Sequence, residues 1–193
     1  EELGISTFIL DSNTDLKKMV DNVFYNISKK SEPTAILVRK NTFAEYAYKR
    51  SNSNVSSMNR YDALKKIIEC LNGEESYFIS TTGITSRELF TLRKLKNEGH
   101  QHDFLTVGSM GHASSIALGI HLTNKKKKII CIDGDGSTLM HMGALSQTGY
   151  IAKSNFIHIV LNNGVHDSVG GQPTLGFKID FLKIAEGCGY QNL

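Results

Sequence analysis

The stretch GDGS at 134–137 carries residue types that suggest chemistry, and it follows directly on an apolar run. Gly134 and Gly136 let the backbone turn tightly and approach a ligand closely. A helix beginning near Ser137 would direct free N–H groups at that ligand, which favours a phosphate. Asp135 would repel a phosphate unless a cation lay between them. The stretch therefore predicts a Mg²⁺ ion that bridges Asp135 to a diphosphate.

A second polar stretch, NNG at 162–164, ends the next apolar segment, and 25 residues (137–161) separate it from Gly136. One helix and one strand fill such a gap and return the chain to the same end of a sheet. The side chain of an asparagine, Asn162 or Asn163, and a backbone carbonyl would then complete a set of hard oxygen ligands. The alternative is structural, with Asp135 capping a helix and Asn163 filling a turn. The spacing of the pair favours the metal site.

The segments around these stretches alternate between helical and strand patterns. Helical spacing of apolar residues predicts helices at 59–71, 85–97, 110–122 and 137–151. Apolar runs predict strands at 76–81, 103–107, 128–133 and 156–162. Together they indicate an α/β fold, a parallel sheet flanked by helices on both faces. Ligands of such sheets bind outside the carboxyl ends of the strands, which is where the turns TTG, GSMG, GDGS and NNG fall.

The first part of the chain is predicted to be separate from this sheet. Residues 1–48 hold only a strand at 7–10, a helix at 14–29 and a strand at 33–40. The polar stretch 49–58 (KRSNSNVSSM) is typical of a linker, so the ligand-binding domain is predicted to be 59–193. Because the chain begins with Glu in mid-pattern, we expect it to be a piece of a longer protein.

Composition excludes several classes of function. The formal net charge is +3, and the run Lys125 to Lys128 is typical of a solvated turn, so we expect no nucleic-acid partner. No apolar run reaches the roughly 18 residues that span a bilayer, so we expect no membrane segment. Three widely spaced cysteines without a C-x-x-C pattern indicate a reduced, cytoplasmic protein.

GDGS followed after 25 residues by NN resembles the signature of the thiamine-diphosphate-dependent enzymes. The resemblance implies a thiamine-diphosphate-binding fold and the cofactors thiamine diphosphate and Mg²⁺. It implies that Mg²⁺ is held by Asp135, by the side chain of Asn163 and by the backbone oxygen of Val165. The cofactor-binding residues implied in these two stretches are Gly134, Asp135, Gly136, Ser137 and Asn163.

Two further segments are similar to parts of this family's cofactor site. GSMG at 108–111 is similar to the segment that grips the aminopyrimidine ring, where the backbone of Gly108 would accept a hydrogen bond from the 4′-amino group. Met110 would be the apolar wedge that bends the cofactor. STTG at 80–83 is similar to the loop that reaches the phosphates from the other side. The remaining implied cofactor-binding residues are Thr82, Gly83 and Ser109.

Histidines beside these motifs are candidate catalytic residues together with Met110. His112 and His166 could each donate a proton or meet the anionic head of a substrate, and each could equally be structural. His141 is a weaker candidate of the same kind. No G-x-S-x-G is present, which argues against a hydrolase triad at Ser168.

Longer strings narrow the resemblance within the family. TTGITSRELF, DFLTVGSMGHASSIALGI and the segment from GDGST to TLGF resemble the phosphonopyruvate decarboxylases, with a match from about residue 58 to the end. This implies conversion of 3-phosphonopyruvate to phosphonoacetaldehyde and CO₂ in the biosynthesis of phosphonates such as 2-aminoethylphosphonate. A sulfopyruvate decarboxylase is the alternative, since it is similar around GSMG and GDGS but differs at NNGVHDSVGGQPT. A non-catalytic, diphosphate-binding scaffold is an alternative of another class.

The resemblance also implies partners. Besides a small 2-oxo acid substrate, it implies a pyrimidine-binding domain, from the same or a neighbouring chain of a homo-oligomer, whose glutamate activates the cofactor. Residues 1–48 resemble only the tail of that domain, so the activating glutamate is expected outside this chain. The domain at 59–193 is expected to be truncated at its C-terminus. We therefore expect this chain alone to be inactive.

Overall fold

The computed structural model describes residues 3–44, 58–73, 76–152 and 154–193. The chain divides into two compact units, Glu1–Ser51 and Asn52–Leu193. The predicted linker at 49–58 lies outside the described residues, apart from Met58. The assignment of 1–48 and 59–193 to two kinds of domain stays a prediction. Within the described part of the chain, no helix combines the length and the apolar character needed to cross a membrane.

The described part of the first unit forms one strand–helix–strand arrangement. Its elements are β1 (Ser6–Leu10), α1 (Leu16–Lys30) and β2 (Thr34–Val38). The two strands pair in parallel, with Ser6 opposite Thr34. Asp15 caps α1, because its side chain accepts the N–H of Lys18. The three elements lie where the apolar patterns predict them.

The second unit is built on a parallel sheet with the strand order β4-β3-β5-β6. Its strands are β3 (Ser76–Ser80), β4 (Asp103–Leu105), β5 (Lys128–Gly134) and β6 (Phe156–Leu161), and a short antiparallel pair follows, β7 (Val165–His166) and β8 (Gln172–Pro173). Its helices are α2 (Arg60–Leu71), α3 (Ile84–Leu95), α4 (Ala113–Thr123), α5 (Asp135–Met140), α6 (Ala144–Ile151) and α7 (Phe181–Gly187).

Helices cover both faces of this sheet, which confirms the predicted fold class. On one face α2 and α3 pack on the sheet, with Leu64 and Leu89 buried against Ile130. On the other face α4 packs through small side chains, with Ala117 buried against Ile129. Neighbouring residues of β5 therefore point to opposite faces and are apolar on both, as expected for a strand buried on two sides.

The prediction of one helix over 137–151 is wrong. The structure has two helices there, α5 and α6, separated by residues 141–143. The break lets the His141 ring leave the helical path and lie against Gly111, where its Cδ2 is 2.5 Å from the position a β-carbon would occupy. The helix predicted from 110 also begins later, at Ala113, because Gly111 has a positive φ of 86° that a right-handed helix does not allow.

The segment after β6 holds elements that the apolar patterns do not predict. β7 and β8 form a two-residue ladder around a 3-10 turn at Asp167–Val169, and α7 follows with Asp180 as its N-cap. These elements are too short for hydrophobic periodicity to reveal them. They matter because they place the loop 162–176 next to the GDGS turn.

Candidate functional site at the carboxyl edge of the sheet

Three of the predicted loops meet around the buried side chain of Ser137. Its Oγ accepts a hydrogen bond from the Thr81 hydroxyl at 2.8 Å and another from the Gly111 N–H at 3.0 Å. Thr81 follows β3, Gly111 ends the GSMG segment after β4, and Ser137 lies in α5 after β5. The hydroxyl of Ser137 accepts two bonds and still has its own hydrogen to donate.

Asp135 is a buried carboxylate at this edge, with 2% of its surface exposed. The Thr174 hydroxyl donates a hydrogen bond to its Oδ2. Among the residues that the structure describes, no Lys, Arg or His nitrogen forms an ion pair with it. A buried charge is costly unless a counter-charge or several hydrogen bonds compensate it. The site therefore provides a place for a cation.

The two asparagines that end β6 have different surroundings. Asn162 Oδ1 and Asp135 Oδ2 both lie against Gly176, with Oδ2 at 2.5 Å from the position of a β-carbon there. The Nδ2 of Asn162 also donates to the Gly176 carbonyl at 2.7 Å. Asn163 Oδ1 accepts the Val165 N–H at 3.1 Å. The structure thus brings Asn162 close to Asp135 and turns the Asn163 side chain into its own loop.

The loop 162–176 covers the GDGS and TTG turns. The His166 ring lies on Gly136, with Nδ1 at 2.7 Å from the position of a β-carbon, so only glycine fits there. Ser168 Oγ lies 3.3 Å from the corresponding position at Gly83. The N–H of Gly171 donates to the His166 carbonyl at 2.9 Å and is used within the loop.

Arg60 connects this loop to the helices of the second unit. Its guanidinium bonds both carboxylate oxygens of Glu88, at 2.9 and 3.3 Å, and Asp167 at 3.1 Å. Burial lowers the pKa of Arg60, but the hydrogen bonds and charges of the two carboxylates outweigh that effect, and the net pKa is raised. Arg60 therefore holds the turn that carries Ser168 from the side of α2 and α3.

The GSMG segment is more open than the turns around it. Gly108 and Ser109 are exposed, and Met110 is half-buried. Ser109 has a positive φ of 52°, and no atom lies within 4 Å of the position of a β-carbon at Gly108. Thr82 supports the segment by donating a hydrogen bond to the Val107 carbonyl at 2.7 Å. The segment leaves open space at the edge of the sheet.

Two of the candidate histidines lie together. The rings of His112 and His141 are 4.2 Å apart, and both residues are exposed. His112 Nδ1 also lies 3.2 Å from the Met110 carbonyl oxygen. His166 lies elsewhere, on Gly136. The candidate catalytic residues thus occupy two places, one beside GSMG and one beside GDGS.

Three residues that contribute to this region are not predicted from the sequence. Thr174 and Gly176 contact Asp135, and the glycine- and proline-rich string GGQPTLG is the signal that points to a structured turn there. Arg60 has no comparable signal, because its partner Asp167 is 107 residues away along the chain.

The chain belongs to the thiamine pyrophosphate enzymes. Residues 81–193, more than half of the chain, match the family described as thiamine pyrophosphate enzyme, C-terminal TPP binding domain. The chain therefore carries the thiamine pyrophosphate-binding domain of that family, and the predicted cofactor is confirmed at this level.

Several relatives of this chain are decarboxylases. The phosphonopyruvate decarboxylase of Streptomyces viridochromogenes is 40% identical over 144 residues, which are 75% of this chain and 34% of that protein. The sulfopyruvate decarboxylase subunit beta of Methanocaldococcus jannaschii is 41% identical over 135 residues, 69% of this chain and 68% of that subunit. The two identities are nearly equal, so they do not separate the two substrates. The chain spans about a third of the length of the first of these relatives.

A solved structure shares the fold. The thiamine diphosphate-dependent 4-hydroxybenzoylformate decarboxylase of Rhodococcus jostii RHA1 superposes with a TM-score of 0.52. The superposition covers 78% of this chain and 30% of that chain, at 19% sequence identity. At this identity the likeness concerns the fold.

Proposed function

We propose that this chain forms the diphosphate-binding part of a decarboxylase that uses thiamine diphosphate and Mg²⁺ and converts 3-phosphonopyruvate to phosphonoacetaldehyde and CO₂. The observation that supports the proposal most is Asp135, a buried carboxylate without a cationic partner among the described residues, at the sheet edge where the glycine-rich turns meet. A divalent cation carrying a diphosphate would satisfy that charge.

The residues present fit such a cofactor. Ser137 has a hydroxyl hydrogen to donate, and the Thr138 hydroxyl is buried without a hydrogen-bond partner among the described residues. No atom lies within 4 Å of a β-carbon position at Gly108 or Gly134, so both glycines leave room for a close ligand. Unused donors next to open backbone suit an anionic group.

In the proposed metal site, Asp135, the side chain of Asn163 and the carbonyl of Val165 are the ligands. The residue opposite Val165 in the β7–β8 pair is Pro173, which has no N–H to donate. For the Asn163 oxygen to reach a metal, its hydrogen bond to the Val165 N–H has to be exchanged or shared. Asn162, whose oxygen already lies beside Asp135, is the competing ligand.

Bound thiamine diphosphate supplies the electron sink that loss of CO₂ from a 2-oxo acid requires. In the proposal this chain binds and orients it. Gly134, Gly136 and Ser137 hold the diphosphate from one side. Thr82 and Gly83 hold it from the other, and the Gly108 carbonyl, Ser109 and Met110 position the ring. His112, beside GSMG, and His166, beside GDGS, are the proposed proton donors.

The proposal includes a partner domain besides the 2-oxo acid substrate. A pyrimidine-binding domain, from the same or a neighbouring chain of a homo-oligomer, would provide the activating glutamate. The relative from Methanocaldococcus jannaschii is itself named as a subunit, which supports an assembly of more than one part. Three free cysteines, at 70, 131 and 188, favour a reducing, cytoplasmic environment.

We propose that the loop 162–176 determines the preference for phosphonopyruvate over sulfopyruvate. His166 and Ser168 lie against Gly136 and Gly83 in the turns proposed to hold the diphosphate, and Arg60 fixes the turn between them through Asp167. A phosphonate group carries close to two negative charges and a sulfonate group carries one. Binding of the phosphonate therefore depends more strongly on such donors. Sulfopyruvate stays the second candidate substrate because the two relatives are about equally identical.

Calorimetry on the enzyme with its full natural chain tests the metal site. Asp135→Asn should remove Mg²⁺-dependent binding of thiamine diphosphate. Asn163→Ala should weaken it strongly and Asn162→Ala only mildly if Asn163 is the ligand, and the reverse order would assign the metal to Asn162. Unchanged cofactor affinity in Asp135→Asn would refute the proposed site.

Steady-state kinetics test the substrate. The parent enzyme should show the higher kcat/KM with phosphonopyruvate, and Ser168→Ala should lower that ratio more for phosphonopyruvate than for sulfopyruvate. A higher kcat/KM with sulfopyruvate would replace the first candidate by the second. Absence of turnover on both, with the cofactor bound, would favour a binding scaffold.

A further inference from the structure

Cys131, Asp133 and His158 form a second cluster, buried under the face of the sheet that α4 covers. Cys131 of β5 and His158 of β6 are directly opposite in the parallel pair. Asp133 lies two residues along β5 and so points to the same face. Cys131 is fully buried, Asp133 is 1% exposed, and the side chain of His158 is 4% exposed. A thiol, a carboxylate and an imidazole therefore share one enclosed space.

The potential ligand atoms of the three side chains converge. One such atom from each residue lies within 4.8 Å of the other two. His158 Nε2 is 3.7 Å from Asp133 Oδ2, which is too long for a hydrogen bond. Nε2 is buried and has no hydrogen-bond partner in the described part of the chain. Leaving such a nitrogen unpaired is costly. An atom bound between the three side chains would remove that cost.

The His158 ring is fixed in this orientation from its other side. Its Nδ1 lies 2.9 Å from the hydroxyl of Tyr190, which follows α7. A hydrogen bond to the far nitrogen is the usual way in which a protein orients a metal-binding imidazole. Tyr190 thereby directs Nε2 toward Cys131 and Asp133.

The charge of the cluster also calls for a cation. Within the described residues, the only ion-pair contact of Asp133 is His158, and its Oδ1 accepts the Gly134 N–H at 3.0 Å. A divalent metal would neutralise the carboxylate and displace the thiol proton, which leaves to solvent as the thiolate binds.

We propose that Cys131 Sγ, an Asp133 carboxylate oxygen and His158 Nε2 bind a divalent transition metal of the Zn²⁺ class, at a site separate from the one at Asp135. Sulfur, nitrogen and oxygen together are the donor set that Zn²⁺ takes in proteins, whereas Mg²⁺ prefers oxygen alone. The three ligands come from adjacent strands, and Tyr190 joins the segment after α7 to them. The metal would stabilise the carboxyl end of β5, next to the GDGS turn. The site does not depend on the proposed function.

Cobalt is a suitable probe, because a Co²⁺–thiolate bond gives a charge-transfer absorption that oxygen ligands do not. The enzyme with its full natural chain, stripped with a chelator and loaded with Co²⁺, should show this band and retain about one tightly held cobalt per chain. Cys131→Ser should abolish the band, and His158→Gln should weaken cobalt retention at least tenfold. Cys188→Ser, which changes a cysteine outside the cluster, should keep both.

Asp135→Asn separates this site from the proposed cofactor site. It should lose Mg²⁺-dependent cofactor binding and keep the thiolate–cobalt band, so the two proposals can fail independently. Circular dichroism shows whether each variant is folded. If Cys131→Ser does not fold, loss of metal in folded His158→Gln decides the question. No thiolate band in the parent enzyme, or a band that survives in His158→Gln with full cobalt retention, would overturn the proposal.

Discussion

Replacing Gly176 by alanine tests the geometry around Asp135 most directly. The new β-carbon would lie 2.5 Å from Asp135 Oδ2 and 3.0 Å from Asp135 Cβ, and it would also contact Asn162 Oδ1. Ordinary contacts begin at 3.4 Å, so the carboxylate oxygen has to move by about 1 Å. Because Asp135 is buried, this movement changes the position of a side chain that has little free space.

The expected size of the effect follows from this displacement. Overpacking of a filled site costs about 1–3 kcal/mol of unfolding free energy. A shift of a ligand that is fixed by its surroundings weakens metal binding by about 10–100-fold. We therefore expect Gly176→Ala to fold with reduced stability and to require about 10–100-fold more Mg²⁺ for thiamine diphosphate binding.

Calorimetric titrations at several Mg²⁺ concentrations, with urea denaturation alongside, measure both effects. Gly187→Ala is the matched control, since no atom lies within 4 Å of its β-carbon position, and it should bind as the parent does. Adding Asn162→Ala to Gly176→Ala should recover part of the lost stability, because it removes one of the crowded oxygens. A folded Gly176→Ala with the Mg²⁺ dependence of the parent would refute the assignment of Asp135 to the metal.

Three further predictions use contacts elsewhere in the second unit. Gly136→Ala should weaken thiamine diphosphate binding, because its β-carbon would lie 2.7 Å from His166 Nδ1, and the added change His166→Ala should restore part of the affinity measured by calorimetry. Arg93→Met should lower the unfolding free energy in urea by about 3–5 kcal/mol, since it removes the ion pair between Arg93 and the buried side chain of Asp103, whereas Lys183→Met at an exposed pair should leave the urea midpoint unchanged. Arg60→Met should raise KM more than it lowers kcat, because it releases the turn at Asp167 and changes no residue of the cofactor-binding turns. A fall in kcat with an unchanged KM would contradict that role.

The sheet of the second unit could be predicted because its strands are apolar on both faces. Ile129, Ile130 and Ile132 are all buried, so β5 appears in the sequence as an unbroken apolar run. The helix over 137–151 could not be predicted correctly. It is broken at residues 141–143, where the His141 ring lies against Gly111, 30 positions earlier in the chain.

The candidate site could likewise be predicted only in part from the sequence. The turns at 80–83, 108–111 and 134–137 are visible in the sequence because parallel strands place their carboxyl ends together. Their meeting at the Ser137 hydroxyl follows from that rule. The role of the asparagines does not, because Asn162 and Asn163 are adjacent and only the turn after β6 decides which oxygen faces Asp135.

Asp133 and Asp135 are two buried aspartates, two residues apart. A separate proposed metal site explains the burial of each. They are 1% and 2% exposed, and no Lys or Arg among the described residues pairs with either. Nearby like charges disfavour one another's charged form, so in the two proposals each cation stabilises its own carboxylate. The strand ends between them, so Asp133 faces the thiol and imidazole under α4, whereas Asp135 faces hydroxyl and amide oxygens at the sheet edge. In the two proposals, soft and hard donors select different metals on the two sides of Gly134, and exchanging one metal should leave the other in place.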